Sequence, residues 1–196
     1  METTGSLRNQ QREFTRARFI NAALEEFKEV GFENATIDMI TRNAGANRST
    51  FYLHFKDKVD LLLAAHEQLV PSGDAVFERI NNMIEPDYVE FRRWIDFLAQ
   101  LWVDNREVYG AIMYAQLTEP RYAKVAYDQK LGFLTPYLNR FKATEREDGA
   151  SRAVMFLMQF ERYFYTTICV SLNKPGPAVL DSLAKLGYYA LFNRTA

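Results

Sequence analysis

The stretch Thr36–Phe55, TIDMITRNAGANRSTFYLHF, most constrains what this chain can become. Ile37, Ile40 and Ala44 recur at helical spacing, and the Thr36 hydroxyl is placed to accept a bond from an early amide of that helix. Gly45 stops it. Asn47 is then a good N-cap for a second short helix, Arg48 to His54, whose core-facing side carries Phe51 and Phe55. A turn of GAN between two such helices sets them at a steep angle. The other side of the second helix offers Asn47, Arg48, Ser49, Thr50 and Tyr52, all able to hydrogen-bond. The segment is built to be held from behind while its front meets a polar surface.

Neighbouring segments supply the support. From Phe14 to Val30, Ala17, Ile20, Ala23, Leu24 and Phe27 form an amphipathic helical stripe, and Gly31 follows where a helix end favours positive φ. Asp57 caps a further helix with Asp60 three residues on, and Leu61, Leu62 and Ala65 carry it to about Val70, before PSGD. Beyond Pro71, helices are expected over Ala75–Ile84, Tyr88–Val103, Glu107–Leu117, Tyr122–Arg140, Arg152–Ser171 and Pro177–Phe192. Residues 153–170, AVMFLMQFERYFYTTICV, are apolar nearly all round and need cover on several sides. Ala184 and Gly187 in the last helix permit a close helix approach, and the two C-terminal helices suit pairing with a second copy as a four-helix bundle. The expected fold class is all-α, with about nine helices: an N-terminal three-helix helix-turn-helix domain, residues 1–58, and a C-terminal helical bundle, residues 59–196.

Composition agrees. Of 196 residues 48% are hydrophobic and 14% aromatic, enough for a real core, while nine Gly and six Pro are too few for a chain of many short strands. No apolar run approaches the roughly 18 residues of a membrane span. The polar start METTGSLRNQQREF has no apolar export signal, and the single Cys169 suits a reducing cytoplasm as a buried small hydrophobe. Net charge is −1, so the cations matter by position: Arg8, Arg12, Arg16 and Arg18 in the first helical region, and Arg42, Arg48, Lys56 and Lys58 opposed only by Asp57 in the second.

Residues 18–65, RFINAALEEFKEVGFENATIDMITRNAGANRSTFYLHFKDKVDLLLAA, resemble the DNA-binding domain of TetR-type (tetracycline-repressor-like) regulators. The resemblance lies in the AALEEF helix, Gly31-Phe32, Thr36, Ala44-Gly45, the TFYLHFKDK string and the leucines after it; beyond that first third it is one of helical character and length. It implies that Thr36, Thr50, Tyr52, His54 and Lys58 touch DNA phosphates, that Arg42 reaches the backbone, and that Asn47, Arg48 and Ser49 face base edges. An exposed Arg binds guanine O6 and N7 in a bidentate pair, which makes Arg48 the first choice for base readout. Leu53 is read as a packing residue. Asp38 departs from what a DNA-facing helix wants, unless it points away or pairs with Arg42 at i+4.

The resemblance further implies a homodimer joined through the two C-terminal helices, with double-stranded operator DNA as partner and a small-molecule effector that releases a repressor. Trp94, Phe97, Trp102, Tyr109, Met113, Tyr114, Phe133, Tyr137, Phe156, Phe160, Tyr163 and Phe164 supply the apolar surface for a largely apolar effector, with Gln116, Gln159 and Glu161 to orient it. An alternative keeps the DNA-binding dimer without small-molecule control. An all-α enzyme is the remote reading. Two histidines and one cysteine do not build the usual zinc or Cys/His sites, His66-Glu67 stands without an HExxH, there is no P-loop or GxGxxG, and Glu145, Glu147 and Asp148 are expected in a polar loop. No cofactor and no metal are expected.

Overall fold

The long first helix, α1 (Thr3–Asn34), begins well before its apolar stripe. Arg, Gln, Glu and Leu favour helix without needing a buried face, so periodicity alone starts the helix too late, at Phe14. Near its other end Gly31 takes φ 80°, ψ 159° and breaks the helical path, the conformation glycine adopts without steric penalty. The computed structural model describes residues 3–69, 73–83, 87–139 and 143–192. It divides into two units, residues 1–70 and 71–196. Every described element is helical.

In the first unit α1 is followed by α2 (Ile37–Asn43), α3 (Arg48–Tyr52) and α4 (Lys58–Leu69). The caps are those the side chains call for. Thr36 Oγ1 accepts from the Met39 amide at 3.2 Å, and Asn47 Oδ1 accepts from the Thr50 amide at 2.8 Å. Asp57 Oδ1 accepts from the Asp60 amide at 2.8 Å while Asp60 Oδ2 accepts from the Lys56 amide at 3.0 Å, a reciprocal pair in the manner of a capping box. Such caps are worth about 1 kcal/mol each. Gly45, at φ 61°, makes the sharp turn out of α2. Helix α3 ends at Tyr52, two residues short of the expected His54, and the chain leaves through a turn.

Behind α3 the core is aromatic. Phe19 of α1 meets the edges of Phe51 at 5.5 Å and Phe55 at 6.3 Å between ring centres, and all three are essentially inaccessible. Ile20, Ala23 and Phe27 of α1, Ile40 of α2 and Leu61, Leu62 and Ala65 of α4 complete it. Burying one large apolar side chain contributes about 1.5–3 kcal/mol, so this cluster fixes the short helix far more firmly than five residues of backbone hydrogen bonding would.

The second unit holds α5 (Gly73–Asn82), α6 (Tyr88–Asp104), α7 (Arg106–Thr118), α8 (Pro120–Leu138), α9 (Ala143–Phe164) and α10 (Pro177–Phe192). Helix α9 continues into a π-helical stretch, Tyr165–Val170, with Ile168 buried. It also starts nine residues before the expected Arg152, so Glu145, Glu147 and Asp148 lie in a helix rather than a loop, and Asp148 pairs with Arg152 one turn on. Ile84 and Arg140, expected helix ends, lie outside the described residues.

Helix α10 packs on α6 and α9. Gly187 does permit a close approach, within the chain itself: a β-carbon added there would collide with the Phe156 ring, and Ala184 is buried on the same helix. Tyr88 of α6 donates to the Asp181 carboxylate of α10 at 2.9 Å, and its ring meets Tyr188 edge-on. Phe91 and Trp94 sit beneath, and the Trp94 indole donates to the Val76 carbonyl at 2.8 Å.

Candidate nucleic-acid interface

The turn after α2 and the capped start of α3 place Asn47, Arg48 and Ser49 side by side on the open face of the first unit. All three are exposed, as are Thr36, Arg42 and Tyr52, while Thr50 and His54 are half-buried. Asn47 is partly engaged, since the Ser49 and Thr50 hydroxyls also donate to its Oδ1, at 2.7 and 3.0 Å. These short polar side chains therefore present a pre-ordered set of groups rather than a mobile fringe.

Arg48 is held from two sides. Its Nη1 lies 3.3 Å from Oδ2 of Asp38 on α2, and the Tyr52 hydroxyl, one turn further along α3, favours its charged form. Tyr52 first and Asp38 second raise the guanidinium's already high pKa, so it is a permanent cation. The expected partner of Asp38, Arg42 at i+4, is replaced by a residue ten positions on, because the helix-turn-helix brings the start of α3 beside the first turn of α2. That pairing requires the tertiary turn, and spacing along one helix does not reveal it.

Two further expectations meet different surroundings. Lys58 turns its ammonium inward to the carbonyls of Phe32, Glu33 and Ala35, where α1 ends, and over the Phe32 ring at 4.4 Å. A cation there satisfies carbonyls a helix end leaves open. Leu53, read as a packing residue, is 74% exposed beside Tyr52, because the helix ends before it can turn inward. Arg18 crosses from α1 to the Ala44 carbonyl and braces the same turn.

The second unit treats its aromatic residues unevenly. Trp94, Trp102, Tyr109, Phe156, Phe160 and Phe164 are buried in the core, with Trp102 stacked on Tyr109 at 4.4 Å. Phe133 stacks on Phe77, Tyr114 is half-buried, and Phe97 is exposed on α6. The Tyr137 side chain lies outside the described residues. An open cleft of about 360 Å³ lies between α7, α8 and α9, walled by Met113, Leu117, Ala123, Tyr127 and Met158, with Gln116, Glu161 and Arg162 as its polar groups. Tyr163 and Gln159 line a neighbouring groove along α9. Burial, then the Glu161 charge, pushes the Tyr109 and Tyr122 hydroxyls well above the usual tyrosine range, so both stay protonated donors. Leu117, Tyr127 and Met158 escape a reading of the sequence, because single apolar side chains on separate helices carry no shared spacing.

A capped, aromatic-backed helix-turn-helix with a cationic, hydrogen-bonding front defines a DNA-binding transcriptional regulator, and known proteins agree. The family model for bacterial regulatory proteins of the tetR family matches residues 19–65. The HTH-type transcriptional regulator SAB2452 of Staphylococcus aureus is 27% identical over 130 residues, 66% of this chain and 69% of its own. The HTH-type transcriptional regulator SrpR of Pseudomonas putida is 48% identical over 52 residues, 26% of this chain and only 24% of its own length. Salmonella enterica GusR shares the fold, with a TM-score of 0.66 at 16% identity over 92% of this chain and 96% of GusR. Residues 19–65 thus form a DNA-binding domain of the TetR type, and the rest of the chain shares the helical fold of such regulators.

Proposed function

We propose that this chain works as a homodimer that binds a specific operator in double-stranded DNA and represses transcription in the cytoplasm. The observation that carries the reading is the Arg48 face of α3: exposed, cationic and hydrogen-bonding in front, with Phe51 and Phe55 fully buried behind. Arg48 reads a guanine edge, Asn47 and Ser49 lie against neighbouring bases, and Thr36, Arg42, Thr50, Tyr52 and His54 hold the phosphates that set the register. Lys58 acts on DNA indirectly, by fixing the end of α1 against the start of α4.

Dimerisation supplies two such faces, which must lie about 34–36 Å apart to enter successive major grooves. Support comes from apolar side chains left exposed on the last two helices: Met155 on α9, and Val179, Leu186 and Tyr189 on α10. Those three α10 residues recur at helical spacing, the pattern an isologous helix pair covers.

A largely apolar effector occupies the cleft of α7, α8 and α9, oriented by Gln116 and Glu161. An effector that prefers a dimer conformation with a different head spacing lowers operator affinity, and operator DNA lowers effector affinity by the same factor. Titration of the purified protein against DNA from upstream of its own gene tests the reading. A shifted complex at low salt, weakened by Arg48→Ala, supports it; equal indifference to that DNA and to random duplex contradicts it.

A further inference from the structure

Arg8, Arg12 and Arg16 recur at i, i+4 and i+8, which sets them along one face of α1. Arg16 is committed: its guanidinium covers the Phe55 ring at 4.5 Å and donates to the His54 carbonyl at 3.3 Å. Arg8 and Arg12 continue the row. With Gln11, Thr15, Leu53 and His54 they line an open cleft of about 560 Å³ beside the exit of the recognition helix. Among the described residues no carboxylate lines it. None of these α1 residues falls within the family match, which begins at residue 19.

We infer that this cleft holds a backbone phosphate of the bound duplex at the flank of the half-site, with Arg8 and Arg12 as its cationic contacts and Gln11 as a neutral donor. The inference rests on the DNA-binding reading above. Continuity of surface favours a duplex phosphate over a free anion: Leu53 and His54 follow Tyr52 directly, so a backbone leaving the α3 front passes the mouth of the cleft. Burial first, then Arg12 and Arg16, oppose a proton on His54, with Glu13 acting the other way, so the two arginine charges do reach the cleft. An exposed site of this kind holds an isolated anion weakly, whereas a phosphate delivered by an already docked duplex arrives at high effective concentration. The exposed Leu53 side chain suits the apolar face of a deoxyribose.

Salt-dependent binding of the full-length protein, to DNA from upstream of its own gene and to a random duplex, tests this. Arg8→Gln/Arg12→Gln should weaken both complexes alike and flatten the slope of log K against log salt by about 1.8 per protomer, at about 0.9 per lost contact. Arg8→Lys/Arg12→Lys should keep most of the slope, and an unchanged melting temperature in both variants shows that the fold is intact. Arg48→Ala should instead lower the ratio of the two affinities. If the Gln variant keeps the wild-type slope while Arg48→Ala removes discrimination, the cleft is idle and the inference fails alone. If neither variant alters binding, the DNA reading fails with it. Inorganic phosphate that stabilises the wild type but not the Gln variant, with DNA binding unchanged, would make the cleft a free-anion site and overturn the inference.

Discussion

The guanidinium of Arg48 and the carboxylate of Asp38 lie 3.3 Å apart across the helix-turn-helix, both more than half exposed. An exposed ion pair adds little stability. Its consequence, on the proposed function, is for recognition: the carboxylate stands beside the side chain proposed to read a guanine edge, where it would orient the fork and repel a misplaced phosphate.

Asp38→Asn should therefore raise affinity for random-sequence duplex and lower the ratio of operator to random affinity, by about tenfold. Parallel binding curves at one salt concentration measure both, and a change in melting temperature of less than about 2 °C separates this from a folding defect. An unchanged ratio would show that Arg48 is oriented by other means.

Lys58 separates a structural from a DNA-contacting lysine. Lys58→Ala should destabilise the protein by about 1–2 kcal/mol, since three carbonyls at the end of α1 lose their donor. Lys58→Gln should recover part of this. Chemical denaturation without DNA is the measurement, and wild-type stability in Lys58→Ala would return the residue to the DNA surface.

Gly187 tests the packing of α10 on α9. Its α-hydrogen face meets the Phe156 ring so closely that a single methyl has no room. Gly187→Ala should cost about 1–3 kcal/mol despite the better helix propensity of alanine. Pairing it with Phe156→Leu should restore much of the loss, and additive effects in the double variant would deny the contact.

If His54 holds a phosphate as proposed, DNA binding should depend on pH. Burial first, then Arg12 and Arg16, lower its pKa from the ordinary 6.5, with Glu13 opposing and Arg8 lining the same cleft. Below about pH 6.5 the unfolded chain takes the proton more readily, so this contribution to stability is complete above that pH and is lost as pH falls toward the lower folded value. A phosphate beside His54 reverses the preference. Operator binding should then take up protons and tighten between about pH 7.5 and 6, at constant salt. His54→Gln should flatten that profile; a profile that survives the substitution assigns the proton elsewhere.

Much of the fold is legible in the sequence because it rests on local chemistry. Thr36, Asn47 and Asp57 cap where their side chains say they should, Gly31 takes the positive φ expected of it, Gly45 ends α2 as expected, and Phe51 and Phe55 turn inward. What sequence does not yield is set by tertiary approach or by non-periodic composition. The partner of Asp38 lies across a turn, Lys58 caps a helix 23 or more residues upstream, and the polar start of α1 offers no stripe to read. The aromatic surplus of the second unit goes mostly into core, because stacked pairs such as Trp102–Tyr109 consume large rings in small volume. The cleft walls come from single residues on three helices.

The central claim is that the Arg48 face of α3 reads DNA sequence. Its most direct measurement is the affinity of wild type and Arg48→Ala for upstream DNA and for random duplex, in the same low-salt buffer. The wild type should discriminate between the two, and the variant should lose about tenfold or more of that discrimination with the melting temperature unchanged. A wild-type protein that binds both duplexes equally, or a variant that discriminates as well as its parent, would contradict the claim.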